Sequence, residues 1–195
     1  DGTKLKGSEK IGTEHEKFVF DIKTTKPVDF SEKGIVGIFN ILKENHWIEI
    51  KEKENVIGLK KGNLSITLEP GLQIELSGAP CGTIHDTCRE VNLYLKELKQ
   101  ACAKLGLGII GIGFVPNAKI NEIHKLKKKR YSIMRDYMPK VGTLGLDMMH
   151  RTAATQVNFD FSSEDDFRKK TKVASCLVPV EVSLFSNSTV LEGKL

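Results

Sequence analysis

The sequence predicts an α+β fold, a mainly antiparallel sheet flanked by helices, on three observations. The stretch LSITLEPGLQIELSG reads as a β-hairpin. TIHDTCREVNLYLKELKQACAKLG reads as a capped amphipathic helix. The elements run strand, helix, hairpin, helix, strand, strand, helix, and hairpins mixed with helices favour antiparallel pairing. With 195 residues the chain is long enough for one domain with its own core.

The first strand is expected over Lys10 to Ile22, in IGTEHEKFVF and its flanks. Ser31 is a candidate N-cap for a helix carrying Ile35, Ile38, Phe39 and Leu42 at helical spacing. WIEIKE and VIGLKK read as short strands. In the hairpin, a three-residue loop of Pro70, Gly71 and Leu72 pairs Glu69 with Gln73 and Thr67 with Glu75. Leu64, Ile66, Leu68, Ile74 and Leu76 then share one face. A two-residue loop would set Thr67 opposite Ile74 and mix the faces, so it is rejected.

Thr83 and Asp86 form a start resembling a capping box for the long helix, whose stripe is Ile84, Cys88, Val91, Leu95, Leu98 and Cys102. Gly106 stops it, and LGIIGIGFVP follows as a buried strand. TAATQVNFDF is a strand with Ala154, Gln156, Asn158 and Asp160 on one face and Val157, Phe159 and Phe161 on the other. Ser163 caps a last helix that opens with acids, and Pro179 is expected to kink or end it.

Composition excludes several classes. A net charge of +5 is too small and too scattered to imply nucleic acid. The densest basic run, HKLKKKR from His124 to Arg130, reads first as a solvated face and second as a phosphate or RNA contact. No apolar run is long enough for a membrane span and no signal peptide opens the sequence, so a cytosolic (cytoplasmic) protein is expected. Cys81, Cys88, Cys102 and Cys176 show no zinc spacing, and Cys88 and Cys102 read as buried thiols. Gly106 to Gly111 matches GxGxxG, but it closes a helix and enters a strand. The dinucleotide fingerprint requires the reverse, so close backbone packing is the better account.

The chemistry lies in the acids. Glu14 and Glu16 share a strand face with Phe18 and Phe20, an apolar direction led by two like charges. Glu69 and Glu75 are diagonal neighbours on the polar face of the hairpin, about 7 Å apart by sheet geometry. Gln156 and Asn158 project together from a third strand. Each pair alone reads as a wetted strand face. Together they offer hard oxygen ligands on one sheet, the donor type that suits Mg²⁺ or Mn²⁺. Such a cation group holds polyphosphate and draws charge from a transferring phosphoryl group.

IGTEHEKF, LEPGLQIELSGAP, IHDTCREVN, YSIMRDYMPKVGTLGLDMM, RTAATQVNFDFSSEDD and LFSNS…EGK resemble the glutamate–cysteine ligases of the plant and proteobacterial type, collinearly from about Ile11 to Lys194. The resemblance implies a glutamine-synthetase-like carboxylate–amine ligase fold, here incomplete, with residues 1–195 an N-terminal portion of the catalytic domain. It implies ATP-dependent ligation of L-glutamate to L-cysteine through a γ-glutamyl phosphate, with Mg²⁺ or Mn²⁺ and ATP. It assigns Glu14, Glu16, Glu69, Glu75 and Gln156 to metal, Asn158, Arg135 and Lys140 to ATP or substrate, and Arg151 to catalysis. A complementary C-terminal chain or a homodimer is the further partner expected, and neither nucleic acid nor membrane is. The alternative is a truncated, non-catalytic remnant or one half of a split ligase. The chain also departs from the pattern. Leu72 replaces a glycine of the family's turn, His150 replaces an apolar residue, and Glu181 interrupts an apolar helix face.

Overall fold

In the computed structural model, which describes residues 2–194, strand β1 (Ile11–Asp21) is the spine of a seven-stranded sheet. Its length lets it serve three partners, all antiparallel. Glu14 to Lys17 pair with β5 (Ile74–Ser77), Ile11 to His15 with β7 (Thr155–Phe159), and Phe18 to Asp21 with β6 (Leu107–Ile110). Beyond β5 lie β4 (Leu64–Leu68), β3 (Asn55–Lys61) and β2 (Ile48–Glu52), joined by successive hairpins. The expected α+β class with a mainly antiparallel sheet is what the chain adopts.

Helices α1 (Ile35–Lys43) and α2 (Ile84–Lys104) cover one face of this sheet. Ile35, Ile38 and Leu42 of α1 and Tyr94, Leu98 and Ala101 of α2 close on Leu59, Ile66, Leu68, Ile74 and Leu76. Burying each large aliphatic side chain contributes roughly 1.5–3 kcal/mol. The hairpin has the expected register, Thr67 opposite Glu75 and Leu68 opposite Ile74, and Glu69 donates its amide to the Gln73 carbonyl at 3.0 Å. Its three-residue loop puts Leu72 in the left-handed region at φ 64°, and Leu72 is buried there. A Cβ on Gly71 would come within 2.2 Å of the His150 carbonyl oxygen, so only glycine lets the turn approach that backbone.

Several expectations are corrected. Ser31 does not cap α1. Its hydroxyl turns to Asp29, and the Asp29 and Ser31 carbonyls take the first amides in its place. The Thr83 cap of α2 stands, with its hydroxyl accepting the Asp86 amide. Its stripe is rotated at the start, however: Thr87 is buried while Ile84 and Cys88 are exposed, because the first turn extends past the sheet. The strand after Gly106 is only four residues long. Of the GxGxxG glycines, Gly108 and Gly111 allow side chains rather than backbone to come close, since a Cβ on Gly108 would lie 2.5 Å from the Phe20 ring, while Gly106 has open space around it.

Helices α3 (Lys129–Val141) and α4 (Gly145–Arg151) were not anticipated. α3 buries only Tyr131 and contains Pro139, so it carries little periodicity. Helix α5 (Glu164–Phe185) is capped by Ser163 as expected, but it runs through Pro179. The carbonyl freed by that proline lies on an exposed stretch where water can satisfy it. α5 has no buried residue, so Glu181 meets solvent rather than an apolar face.

Candidate functional site

β1 gathers the acids. Glu14 is paired with Ser77 of β5 and Gln156 of β7, and Glu16 is paired with Glu75. Glu75 in turn faces Thr67 across the hairpin. Adjacent strands sit under 5 Å apart, so Glu14, Glu16 and Glu75 form one carboxylate patch, and Glu69 adjoins it from the hairpin end. Past the acids the same face of β1 becomes apolar. Phe18 packs with Val115, Ala118, Ile123 and Ala153 in a second, smaller cluster.

Each carboxylate has a local hydrogen-bond partner. Glu14 accepts from the Asn158 amide at 3.0 Å, and Asn158 accepts from Gln156 at 2.9 Å. Glu16 accepts from the Ala154 backbone at 2.9 Å. Glu75 accepts from the Thr67 hydroxyl at 3.0 Å and from the Ser77 hydroxyl at 2.5 Å. These contacts hold the acids in place without neutralising them. Burial first, then the charges of Glu69, Glu75 and Glu14, push Glu16 up to about 7 against the opposing Ala154 amide. Burial and Glu75 raise Glu69 as well, against Arg130 and Lys128.

The donor chemistry fits a hard divalent cation: all-oxygen ligands, like-charged, on a rigid ladder. Glu14, Glu16, Glu69 and Glu75 share one face of the sheet but are not closed around a common point. Among the described residues no three His, Cys, Asp or Glu side chains converge closely enough to hold an ion. Gln156 and Asn158 lie beside Glu14 through their hydrogen bonds.

The remaining sequence candidates lie elsewhere. The Arg151 guanidinium is buried and engaged by Asp147 at 2.9 Å, Glu192 at 3.2 Å and the Ala118 carbonyl at 2.9 Å. It stacks on Phe114 and borders a cavity of about 470 Å³, and no hydrogen bond or ion pair joins it to the acids. Arg135 donates to the Leu126 carbonyl at 3.2 Å. Lys140 is exposed near the end of α3.

Sequence reasoning missed the cations that do face the acids. Arg130 and Tyr131 line a pocket of about 120 Å³ with Glu16, Glu69, Met134 and Met149. The Arg130 guanidinium and the Lys128 ammonium lie 4.9 and 5.1 Å from the Tyr131 ring centre. Lys128 donates to the Leu68 carbonyl at 3.0 Å. The signal was the run itself. The run is a largely solvated face as expected, with His124, Lys125, Lys127, Lys129 and Arg130 exposed, but Lys128 at the start of α3 is half-buried.

Gln73 was missed too. It is fully buried, accepts the Gly71 amide at 2.9 Å, and donates to the Thr152 carbonyl at 2.6 Å. A buried glutamine just after a turn is legible as a clamp only once its partners, 79 residues away, are known.

Comparison with known proteins agrees with the resemblance. The chain is 50% identical over 194 residues to glutamate–cysteine ligase A, chloroplastic, of Oryza sativa subsp. japonica, covering 99% of this chain and 39% of that protein. It is 48% identical to glutamate–cysteine ligase, chloroplastic, of Arabidopsis thaliana, covering 99% of this chain and 37% of that protein. The Nicotiana tabacum enzyme of the same name gives 48% identity and the same two shares. The chain therefore spans well under half the length of these relatives. Their names also overturn the expectation of a cytosolic protein, because these relatives are plastid proteins. That expectation rested on two absences, of a membrane-spanning run and of a signal-peptide pattern. Residues 10–195 match the family model of glutamate–cysteine ligase family 2, and the protein belongs to that family.

Proposed function

We propose that this chain carries part of the active site of an ATP-dependent ligase that joins the γ-carboxylate of L-glutamate to the amine of L-cysteine, and that it works in a plastid. The observation that carries the proposal is the crowding of Glu14, Glu16, Glu69 and Glu75 on one face of the sheet, with Glu16 pushed up to about 7 by burial and its neighbours. Family membership and the relatives' names support the substrates.

The chemistry needs such a place. A carboxylate oxygen attacks the terminal phosphorus of ATP, the bond to the bridging oxygen breaks, and ADP departs. The free amine of cysteine then attacks the acyl carbon, phosphate leaves with the carbon–oxygen electron pair, and the nitrogen loses a proton to solvent or phosphate. Both steps bring anions together, so positioning and charge compensation dominate the barrier. Glu14, Glu16, Glu69, Glu75 and Gln156 would hold divalent cations, which supply compensation for the triphosphate charge when bound. Arg130, at the rim of the Glu69 pocket, supplies a fixed positive charge for a substrate carboxylate. Asn158 orients Glu14. Arg151 serves as a brace through Asp147 and Glu192, and no side-chain nucleophile is required.

A second reading, one half of a split ligase that needs a complementary chain, is favoured by a specific observation: β7 and α5 expose their apolar side chains. The experiment is phosphate release by the intact protein with ATP, magnesium, glutamate and cysteine. Release that requires both amino acids and disappears in Glu16→Gln supports the ligase. Release indifferent to glutamate and cysteine rejects it.

A further inference from the structure

The acid row has a second end. Lys10 precedes β1 and shares its alternation with Gly12, Glu14 and Glu16. It continues the ladder beyond β7, since its carbonyl accepts the Asp160 amide at 3.3 Å and its amide donates to the Asp160 carboxylate at 3.1 Å. The Lys4 amide is tied to the Phe161 carbonyl at 2.9 Å, which carries the N-terminal segment across the same end of the sheet. Between them lies a cleft of about 520 Å³ lined by Lys4, Ser8, Lys10, Gly12, Gly78 and Asn158. Asp160 also lines it, with its carboxylate on the Lys10 amide. Neither the Lys4 nor the Lys10 ammonium has a hydrogen-bond or ion-pair partner among the described residues.

Gly12 makes the space usable. A Cβ there would meet only the Asn158 Cβ, at 3.8 Å, so the floor between Lys10 and Glu14 has no side chain on it. Four residue steps of strand separate those two, roughly 13 Å at the usual rise. Lysine and glutamate side chains reaching inward from the two ends leave room for a chain of phosphates. Lysine is suited to phosphate as a point charge. The cleft is also about four times the volume of the Arg130 pocket at the other end of the row, 520 against 120 Å³.

We propose that the Lys4–Lys10 cleft seats the polyphosphate of the nucleoside triphosphate, with the inner phosphates on the two ammoniums and the terminal phosphate over Gly12 beside Glu14. This rests on the ligase reading above and gives it a direction: nucleotide enters from the N-terminal end of β1, and amino acids react at the hairpin end.

The test is calorimetric titration of the intact protein with inorganic tripolyphosphate and with ATP, each with magnesium, in the native sequence and in Lys4→Ala/Lys10→Ala. Both lysines are exposed, so the variant should keep the native unfolding midpoint. The expected result is at least about a tenfold loss of affinity for both ligands in the same proportion. Unchanged affinity in the folded variant, or native protein that does not bind tripolyphosphate, overturns the proposal. Amino-acid-dependent phosphate release with unchanged binding in the variant would sink this seat and leave the ligase standing. Lysine-dependent binding without such release would do the reverse. Lysine-dependent affinity for a single-stranded oligonucleotide exceeding that for tripolyphosphate would also overturn it, as the mark of a nucleic-acid surface.

Discussion

The β4–β5 hairpin and the β7–α5 segment flank β1 on opposite edges, yet they bury their side chains in opposite ways. In the hairpin Ile66, Leu68, Ile74 and Leu76 are wholly enclosed by α1 and α2. In β7 and α5 Val157, Phe159, Leu177, Leu184 and Phe185 are all exposed. A long helix with no buried face gains little from packing, and packing is what stabilises most helices. The acid row therefore lies on a seam, with one wall fixed by its core and the other held mainly by strand pairing to β1. What lends the sheet stability and what completes the site belong to different halves of it.

The comparison can be sharpened by experiment. The largest effect belongs to the seam: Glu14→Gln/Glu16→Gln should lower amino-acid-dependent phosphate release by about 10²-fold or more while the fold persists. Activity that survives would remove the acids from the mechanism. Next comes the fixed wall. Leu76→Ala should cost about 2–5 kcal/mol in urea unfolding, since Leu76 is wholly buried.

The turn between those strands gives a more discriminating pair. Leu72 combines burial with a left-handed backbone. Leu72→Ala loses the burial and keeps the strain, whereas Leu72→Gly loses both. The glycine variant should be the more stable of the two by about 1 kcal/mol. The reverse order would mean that the backbone there is not strained.

The smallest expected effect belongs to the other wall. Leu177→Ser in α5 should change stability by under about 0.5 kcal/mol. A cost of several times that would show the helix covered in solution, and the contrast between the walls would fail.

His150 adds a dependence on pH. It is buried under the hairpin turn, and the Pro70 carbonyl is the one acceptor near its ring among the described residues, short of a well-formed hydrogen bond. Burial lowers its pKa from 6.5, and Arg135 and Lys125 lower it further. The Pro70 carbonyl and Asp147 oppose the shift. The unfolded chain thus takes up a proton before the folded one does. Stability from this residue is complete above about pH 6.5 and is lost as pH falls toward the folded value. Unfolding midpoints of His150→Leu should fall less steeply than those of the native sequence between pH 6.5 and 5. Parallel curves would exclude His150 as the cause.

Legibility in the sequence followed the range of the interactions. The hairpin register could be read because alternation and loop length are local, and Thr67 does face Glu75. The Thr83 and Ser163 caps were local as well. The pairing of Glu16 with Glu75 needed the order of strands in the sheet, which no short stretch encodes. Lys128 and Arg130 looked solvated because charge runs usually are, and only the fold brings them to Glu69. Arg151 is held by Asp147, Glu192 and a carbonyl, partners that residue type alone could not reveal.

Gln73 ties the tip of the hairpin to the backbone at Thr152, just ahead of β7. Glu69 at the hairpin tip and Gln156 on β7 thus sit on opposite sides of a single bolt. A motion that opens the tip while Gln73 keeps this bond draws the start of β7 with it.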